Sequence, residues 1–308
     1  MKYRIELAAV RLVRGLIRAM PSSLVRPCGG LLGYAFYLLD RVHRRVADTN
    51  LATAFPQRTA EERRRITRDM FGHFGCVLLE LLKFSTLTSD EMNRLVEFEG
   101  DERARAAYAQ GKGVLFFTGH FGYWEINALV HALRLEPFAV LARPLDNPGL
   151  HDLLEEVRTS TGNTVIYRQG AVRRVLRQLS AKHGVAMLID QHMHSPDAIY
   201  VNFFERPAAT TSMLAALALR TGAPVVPVFA LPLPGGRYRM VYERAVDPPD
   251  ADTPDAVQEF TQRCTDVLEM YVRRHPSLWL WMHRRWRDAP LPASTPGMFP
   301  PARAEEHE

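Results

Sequence analysis

The sequence contains little cysteine, with 3 cysteines among 308 residues. Cys28, Cys76 and Cys264 are widely spaced, and none belongs to a C-x-x-C pair. This low, odd count argues against a disulfide framework and against a zinc knuckle, and it favours a reducing compartment. We expect all three thiols to be buried as small apolar side chains.

The N-terminal segment lacks an uninterrupted apolar stretch long enough to span a membrane, and it lacks a signal-peptide core with a cleavage site. At ~100° per residue it forms an amphipathic helix instead. Arginines occupy one face and apolar residues the other: Arg4, Arg11, Arg14 and Arg18 against Ile5, Ala9, Leu12, Val13, Leu16 and Met20. This pattern is typical of a helix in a bilayer interface. The alternative is a helix packed on its own domain.

Acidic residues are in the minority, since 34 Asp and Glu face 39 Lys and Arg for a net charge of +5. Such an excess suits acidic partners: phospholipid headgroups, phosphorylated glycolipids, nucleic acid or an acidic carrier protein. Because the chain shows no recognisable nucleic-acid-binding fold, we expect a membrane surface and no nucleic acid among its partners.

Helical spacing dominates the chain up to residue 95. We expect Pro21 and the break at residues 27–30 to end the first helix, and a second helix to run from about Leu31 to Leu39. A capping box at Thr59–Glu62 then opens a long helix toward Phe84. The apolar residues of this helix recur at helical spacing, which predicts that they are core.

From Val96 onward, short apolar runs alternate with helical stretches. The predicted strands are 114–117, 138–141, 164–166, 185–189, 225–229 and 237–243, and the predicted helices are 124–133, 148–159, 171–179, 210–220 and 254–274. Repeated strand–helix units indicate an α/β fold with a largely parallel central sheet flanked by helices. The tail at residues 290–308 is rich in Pro, Ala and Glu and is predicted to be disordered.

Polar side chains follow three of the predicted strands. His120 comes after the first of them, Arg143 after the next, and Asp190 after the strand at 185–189. Ligands of open parallel sheets bind beyond the carboxyl ends of the strands. These positions therefore predict a functional site at that edge of the sheet.

His120 and Glu125 are candidates for a general-base pair. A carboxylate bonded to the second nitrogen of a histidine fixes its tautomer and stabilises the imidazolium that forms. The two side chains can meet if His120 lies in the turn before a helix and Glu125 in its first turn, with Gly119 and Gly122 supplying the turn. Alternatively, His120 caps the helix and Glu125 interacts with its positive N-terminus.

The segment at residues 113–125, GVLFFTGHFGYWE, resembles the H-x4-E block of the lipid A late acyltransferases. That branch includes the lauroyl and myristoyl transferases and the phosphatidylinositol mannoside acyltransferases. Further blocks match in order along the chain: 44–56 resembles R-x-x-x-x-N-L-x-x-x-F-P, 190–191 the D-Q block, 203–211 F-F-G-x-x-A-x-T, and 279–286 W-x-W-x-H-x-R-W. Two positions depart from the pattern, because Tyr123 replaces the usual Asn and Glu205 the usual Gly.

The resemblance implies a glycerolipid-acyltransferase-like fold and a mechanism. His120, oriented by Glu125, takes the proton of an acceptor hydroxyl, and the alkoxide attacks the thioester of acyl-carrier protein or acyl-CoA. It also implies that Arg158 binds a phosphate or supports the catalytic pair, and that Asp190 organises an arginine or the acceptor. No covalent intermediate, cofactor or metal is implied.

Arg143 and Arg206 are further substrate-binding candidates. Arg206 is expected to hold a phosphate near the N-terminus of the helix predicted from Thr210. Three of the candidate residues have a structural alternative. Arg158 and Asp190 could each form a structural ion pair, and Arg206 could be a solvated loop charge. Trp279, Trp281 and Trp286, interleaved with arginines, suit either a membrane interface or a core.

Two rival functions remain open. His192, His194 and Asp197 are similar to a zinc cluster of metallo-hydrolases, which predicts a zinc-dependent hydrolase, although the spacing is one residue too long and an adjacent His is missing. A non-catalytic lipid-binding protein of the same fold is the second rival, and intact His120 and Glu125 argue against it.

These observations together predict an acyltransferase that moves a fatty acyl chain onto a hydroxyl of a membrane glycolipid, such as a lipid A precursor, at the cytoplasmic face of the bacterial inner membrane. We expect N-terminal amphipathic, membrane-associated helices at residues 1–45, a catalytic domain at 46–289 and the tail at 290–308.

Overall fold

A computed structural model describes residues 2–167, 169–195, 198–250 and 253–287. The predicted tail at 290–308 lies outside the described residues. The helices are α1 (Lys2–Ala19), α2 (Ser22–Leu39), α3 (Arg41–Ala54), α4 (Ala60–Phe84), α5 (Ser89–Arg94), α6 (Asp101–Ala109), α7 (Trp124–Arg134), α8 (Pro148–Thr159), α9 (Ala171–Ser180), α10 (Met213–Thr221) and α11 (Ala256–Arg274).

The strands are β1 (Val96–Glu99), β2 (Val114–Thr118), β3 (Ala139–Ala142), β4 (Thr164–Tyr167), β5 (Gly184–Leu188), β6 (Ala198–Phe203), β7 (Arg206–Thr211), β8 (Val225–Leu233) and β9 (Arg237–Tyr242). Within the described ranges a seven-stranded sheet has the order β1-β9-β8-β2-β5-β3-β4, and β6 and β7 form a separate hairpin. Neighbours in the large sheet are parallel except β8 and β9. The predicted α/β architecture with a mostly parallel central sheet is confirmed.

The centre of the sheet is buried on both faces. Every residue of β2 is buried, as expected of an inner parallel strand with helices on both sides. One core cluster joins Leu115 and Phe117 to α10 and α11, and a second joins Val114 and Phe116 to α7. The middle strands are therefore packed on both faces, and the loops that follow them start from this packed core.

The second helix begins earlier than the sequence predicts. α2 runs through Pro27 and the glycine pair that follows, where we expected a break. Glycine lets α2 approach α4 closely: a methyl group on Gly29 would lie 2.6 Å from the Cα atom of Cys76. This packing against α4 stabilises the helix despite the hydrogen bond that Pro27 cannot donate. α4 itself starts at the predicted capping box, in which Thr59 and Glu62 bond reciprocally.

The helix predicted from Thr210 begins later than expected. Residues up to Thr211 belong to β7, and α10 begins at Met213. β6 and β7 are joined by a two-residue turn at Phe204 and Glu205, which have φ angles of 53° and 60°. The turn folds the chain back, so that Thr210 and Thr211 pair with β6 as β-branched residues favour.

The N-terminal helices pack on the rest of the chain. α1 contacts α8 through an ion pair of Arg14 with Glu156 at 3.3 Å, and Asn147 donates to the Tyr3 carbonyl at 3.0 Å. Residue 45, the predicted boundary of the catalytic domain, falls within α3. No helix in the described ranges has both the length and the apolar character needed to cross a bilayer.

Candidate active site

His120 lies in the turn between β2 and α7. Its carbonyl accepts a hydrogen bond from the Leu280 amide at 3.1 Å, and the Gly122 amide donates to the Leu278 carbonyl at 2.9 Å. Gly122 has a φ of 56°, and a methyl group there would collide with the Ala230 carbonyl oxygen. Glycine is therefore required for the turn that presents His120 at the strand end.

The carboxylate that holds His120 is Asp190, and not Glu125 as predicted. Nδ1 of His120 lies 2.9 Å from Oδ1 of Asp190, and the His120 amide donates to Oδ2 at 2.7 Å. The reason is strand order: β2 and β5 are neighbours, and Thr118 pairs with Leu188. His120 and Asp190 each lie two positions beyond these paired residues, so the two side chains start side by side.

Asp190 is a buried side chain under the imidazole, with 3% of its surface exposed. Its Oδ2 also accepts the Trp279 indole N–H at 2.8 Å. Both oxygens of Asp190 are thus bonded to protein groups. The role implied for Asp190, organising an arginine or the acceptor, stays a prediction. The contact that the structure shows for Asp190 is with the His120 imidazole.

Burial and charge act in opposite directions on this pair. Burial favours neutral His120, but the Asp190 carboxylate outweighs it and raises the pKa of His120 above the ordinary 6.5. Burial also disfavours ionised Asp190, yet His120 and Trp279 hold the pKa of Asp190 at about 2. The carboxylate is thus ionised at neutral pH, and it holds the proton of His120 on Nδ1, which leaves Nε2 as the proton acceptor.

Glu125 lies in the first turn of α7, as predicted, but it is paired with Arg158. Nε of Arg158 donates to Oε2 of Glu125 at 2.9 Å, and a second guanidinium N–H bonds to Oε1. Only 15% and 14% of the Arg158 and Glu125 side chains are exposed. The structure shows the ion pair that was the structural alternative for Arg158. Its predicted binding of a phosphate or support of the catalytic pair stays a prediction.

The other two predicted arginines lie apart from His120. Arg143 is exposed after β3, which lies on the far side of β5 from β2. Arg206 is the first residue of β7, whereas α10 begins after the last. The prediction that Arg206 serves the N-terminus of that helix is wrong, because the strand separates them by about 3.3 Å per residue.

A mostly apolar cavity of about 440 Å³ lies beside the site. It is lined by Gly33 and Phe36 of α2, by Asp40 and His43, by Phe71, Phe74, Gly75 and Leu78 of α4, and by Gln191, Leu280, Met282 and His283. Gln191 follows Asp190, and its amide nitrogen is 3.4 Å from Nε2 of His120. Gln191 therefore lies between the cavity and the imidazole, and the cavity offers space for an aliphatic chain.

A profile of the bacterial lipid A biosynthesis acyltransferase family matches residues 3–288. The chain belongs to this family. The acyltransferase is 26% identical to the lipid A biosynthesis lauroyltransferase of Escherichia coli (strain K12) over 278 residues, which cover 89% of each protein.

Two further relatives differ in the names of their substrates. The lipid A biosynthesis palmitoleoyltransferase of Escherichia coli (strain K12) is 24% identical over 255 residues, 81% of this chain and 80% of that protein. The phosphatidylinositol mannoside acyltransferase of Mycobacterium tuberculosis (strain ATCC 25618 / H37Rv) is 24% identical over 218 residues, 69% of this chain and 67% of that protein. The resemblance deduced from the motif blocks is confirmed.

Blocks that are distant in the sequence of the acyltransferase bond to one another in the structure. Asn50 of α3 donates to the carbonyls of Trp281 and His283, at 2.8 and 2.7 Å. Buried Arg285 donates to the Ala209 carbonyl at 2.5 Å and to the Thr210 hydroxyl. Trp279 and Trp281 are 1% and 0% exposed, so the core interpretation of these two residues is the correct one.

The sequence did not single out the role of Trp279 as an Asp190 partner. The sequence signal that could have indicated this role was the position of Trp279 in the closing W-x-W block. Phe121 and Trp279 form an isolated antiparallel bridge, which brings the indole under the strand end. The closing block thus fixes Asp190 as well as filling the core.

The zinc-hydrolase rival gains no support from the acyltransferase structure. The described residues contain no cluster of three or more His, Cys, Asp or Glu side chains able to hold a metal ion. The rings of His192 and His194 are 4.4 Å apart, and the His192 amide donates to Nε2 of His283 at 2.7 Å. Asp197 lies outside the described residues. The family favours acyl transfer over this rival.

Proposed function

We propose that this acyltransferase moves a fatty acyl chain from an acyl thioester to a hydroxyl of a membrane glycolipid. The donor is acyl-carrier protein or acyl-CoA, and the acceptor is a lipid A precursor or a related phosphoglycolipid. The observation that carries the proposal is the contact of His120 with buried Asp190, next to Gln191 in the wall of an apolar cavity. General-base catalysis needs a proton acceptor beside the acyl carbonyl, and this arrangement supplies one.

The reaction follows from the positions of these groups. The acyl chain occupies the cavity, and its thioester carbon lies next to the imidazole. Nε2 of His120 takes the hydroxyl proton, Asp190 stabilises the imidazolium, and the alkoxide attacks the carbonyl. When the intermediate collapses, the thiolate leaves and receives the proton from His120. This scheme uses Asp190 in the orienting role first predicted for Glu125.

Glu125 and Arg158 support the site from α7 and α8 in this scheme. Their double hydrogen bond joins the first turn of α7 to the last turn of α8. Trp124, the neighbour of Glu125, packs against the imidazole with ring centroids 5.4 Å apart. The ion pair therefore fixes the helix end that carries the packing partner of His120.

A membrane-surface location is supported by exposed apolar side chains of the N-terminal helices. Ile5, Leu12 and Leu16 of α1 are 61%, 66% and 61% exposed, and Leu31 of α2 is 70% exposed. Phe36 is half exposed and also lines the cavity. We infer that this surface enters the bilayer interface at the cytoplasmic face of the inner membrane and that acyl chains reach the cavity from it.

Purified enzyme tests the proposal directly. Acceptor glycolipids that lack one acyl chain are mixed with an acyl-carrier-protein thioester or acyl-CoA. Ester formation is followed by mass spectrometry. We expect transfer by the wild type and none above background by His120→Gln, which keeps the fold but lacks the base. Transfer by His120→Gln at the wild-type rate would exclude His120 as the base.

Lipid mass spectrometry of a strain that lacks the protein identifies the acceptor. A glycolipid that loses one acyl chain, and recovers it when the wild-type gene is restored, names the acceptor and the chain length. An unchanged lipid profile, together with inactivity of the purified enzyme on all tested glycolipids, would oppose the proposal.

A further inference from the structure

Gln191 occupies the junction between the apolar cavity and His120. It directly follows Asp190 and lies three positions beyond the end of β5. Its side-chain nitrogen lies 3.4 Å from Nε2 of His120, and the same residue lines the cavity. An acyl chain in the cavity with its thioester beside Nε2 must therefore place the carbonyl group next to this carboxamide.

The other polar side chains of the cavity wall are engaged elsewhere. Asp40 accepts from the His43 ring at 2.7 Å. His283 accepts the His192 amide on its Nε2, and burial lowers the pKa of His283 to about 4, so that it stays neutral. Within the described residues the Gln191 carboxamide bonds to His120 and to no other protein group. It is the polar group that a substrate at His120 can recruit without breaking a structural contact.

We propose that Gln191 is a catalytic residue that donates a hydrogen bond from its side-chain N–H to the acyl carbonyl oxygen and to the oxyanion formed from it. This inference rests on the proposed acyl-transfer function and assigns the group that stabilises its intermediate. Charge develops on that oxygen as the alkoxide adds, so a donor beside it stabilises the transition state more than the bound thioester.

The electron and proton movements balance with these residues alone. The acceptor O–H gives its proton to Nε2 of His120 as the new C–O bond forms, and the carbonyl π electrons move onto the oxygen facing Gln191. The C=O bond then re-forms, the C–S bond breaks, and the thiolate takes the proton back from His120. The products are the ester and the free thiol.

The spacing of the two nitrogens fits this role. A hydroxyl oxygen bonded to Nε2 of His120 lies about 2.8 Å from it. The oxyanion of the adduct is attached to the same carbon as that hydroxyl oxygen. An amide nitrogen 3.4 Å from Nε2 therefore reaches the oxyanion after a small side-chain rotation. Before substrate binds, the same N–H donates to Nε2 and holds it as the acceptor nitrogen.

Steady-state kinetics of three variants test the assignment. Gln191→Glu keeps the shape and removes the N–H donors, Gln191→Ala removes the side chain, and Gln57→Ala is a control at an exposed position. We expect kcat to fall about 10²–10³-fold in both Gln191 variants, the usual cost of losing one oxyanion donor. KM for the acyl donor should change much less, and Gln57→Ala should match the wild type.

The outcomes separate this inference from the proposed function. If the wild type transfers acyl groups and Gln191→Glu retains kcat within about threefold, Gln191 is not the donor although the function stands. A purely structural role would instead lower the unfolding temperature or raise KM with kcat unchanged. If the wild type itself transfers no acyl group to any hydroxyl, the proposed function fails first.

Discussion

The Nδ1 atom of His120 and the Oδ1 atom of Asp190 lie 2.9 Å apart although the residues are separated by 70 positions in the chain. The carboxylate also accepts the His120 amide and the Trp279 indole N–H. Three donors thus converge on one buried carboxylate, and the imidazole is fixed in position before any substrate binds. This preorganisation is what a general base requires.

Asp190→Asn should reduce kcat about 10²–10⁴-fold, because an amide facing Nδ1 favours the tautomer with its proton on Nε2. The pH profile should move as well. The carboxylate raises the pKa of His120, so the wild-type enzyme becomes active only as pH rises above the ordinary 6.5. Without it, burial lowers the pKa of His120 and the acidic limb shifts to lower pH. An unshifted limb in kcat/KM would show that Asp190 does not set this pKa.

Arg158→Met should destabilise the fold by about 1–3 kcal/mol, because it leaves the little-exposed Glu125 carboxylate without its donor. Glu125→Gln combined with Arg158→Met should cost less than the sum of the two single changes, since both remove one interaction. Urea unfolding of the four proteins gives this coupling. Additive losses would mean that the ion pair contributes nothing of its own.

Leu78→Trp should narrow the cavity and reduce transfer of longer acyl chains more than that of shorter ones. Leu78 lines the cavity from α4, and a larger side chain there removes space that an aliphatic chain would fill. A series of donors of increasing chain length gives the comparison. Val172→Trp changes an exposed position of α9 and should leave the series unaltered. Equal loss at every chain length would place the acyl chain elsewhere.

Gly75→Ala should destabilise the protein by about 1–3 kcal/mol by overpacking the contact between α2 and α4. A methyl group at Gly75 would lie 2.5 Å from the Gly33 nitrogen, whereas one at Gly72 would meet no atom within 4 Å. Gly72→Ala, one turn away on the same helix, should be neutral or stabilise by about 0.5–1 kcal/mol. Thermal unfolding compares them, and equal effects would argue against the close approach.

Glu205→Gly should stabilise the protein by about 1 kcal/mol, because Glu205 has a φ of 60° in the turn between β6 and β7 and glycine adopts this conformation without steric cost. Glu205→Ala removes the same charge but keeps the Cβ atom, so it should give no such gain. Unfolding temperatures distinguish the two. A similar gain for both variants would point to the charge rather than to the backbone.

The sequence predicted the helices and strands better than the contacts between them. α8 begins and ends at the predicted residues, and the capping box of α4 is present. The partner of His120 was missed because it depends on strand order: β5 inserts between β2 and β3, although β3 and β4 come first in the chain. Local spacing favoured the carboxylate five positions away, and tertiary pairing selected the one 70 positions away.

The error at Arg206 has a different origin. Helical periodicity extended the predicted helix back to Thr210, although a tight turn at Phe204 and Glu205 commits that segment to a hairpin. The turn has Glu205 where a glycine would usually signal it. The replacement of the family's glycine by Glu205 thus hid the hairpin of β6 and β7 from sequence analysis.

The cavity and the His120–Asp190 pair are built from different layers of the protein. His120 and Asp190 are mounted on the sheet, whereas much of the cavity wall comes from α2 and α4. Substitutions on those helices can remodel the room for a hydrocarbon tail while the machinery for ester formation stays in place. If the proposed reaction holds, selection for tail length and the rate of ester formation can evolve separately.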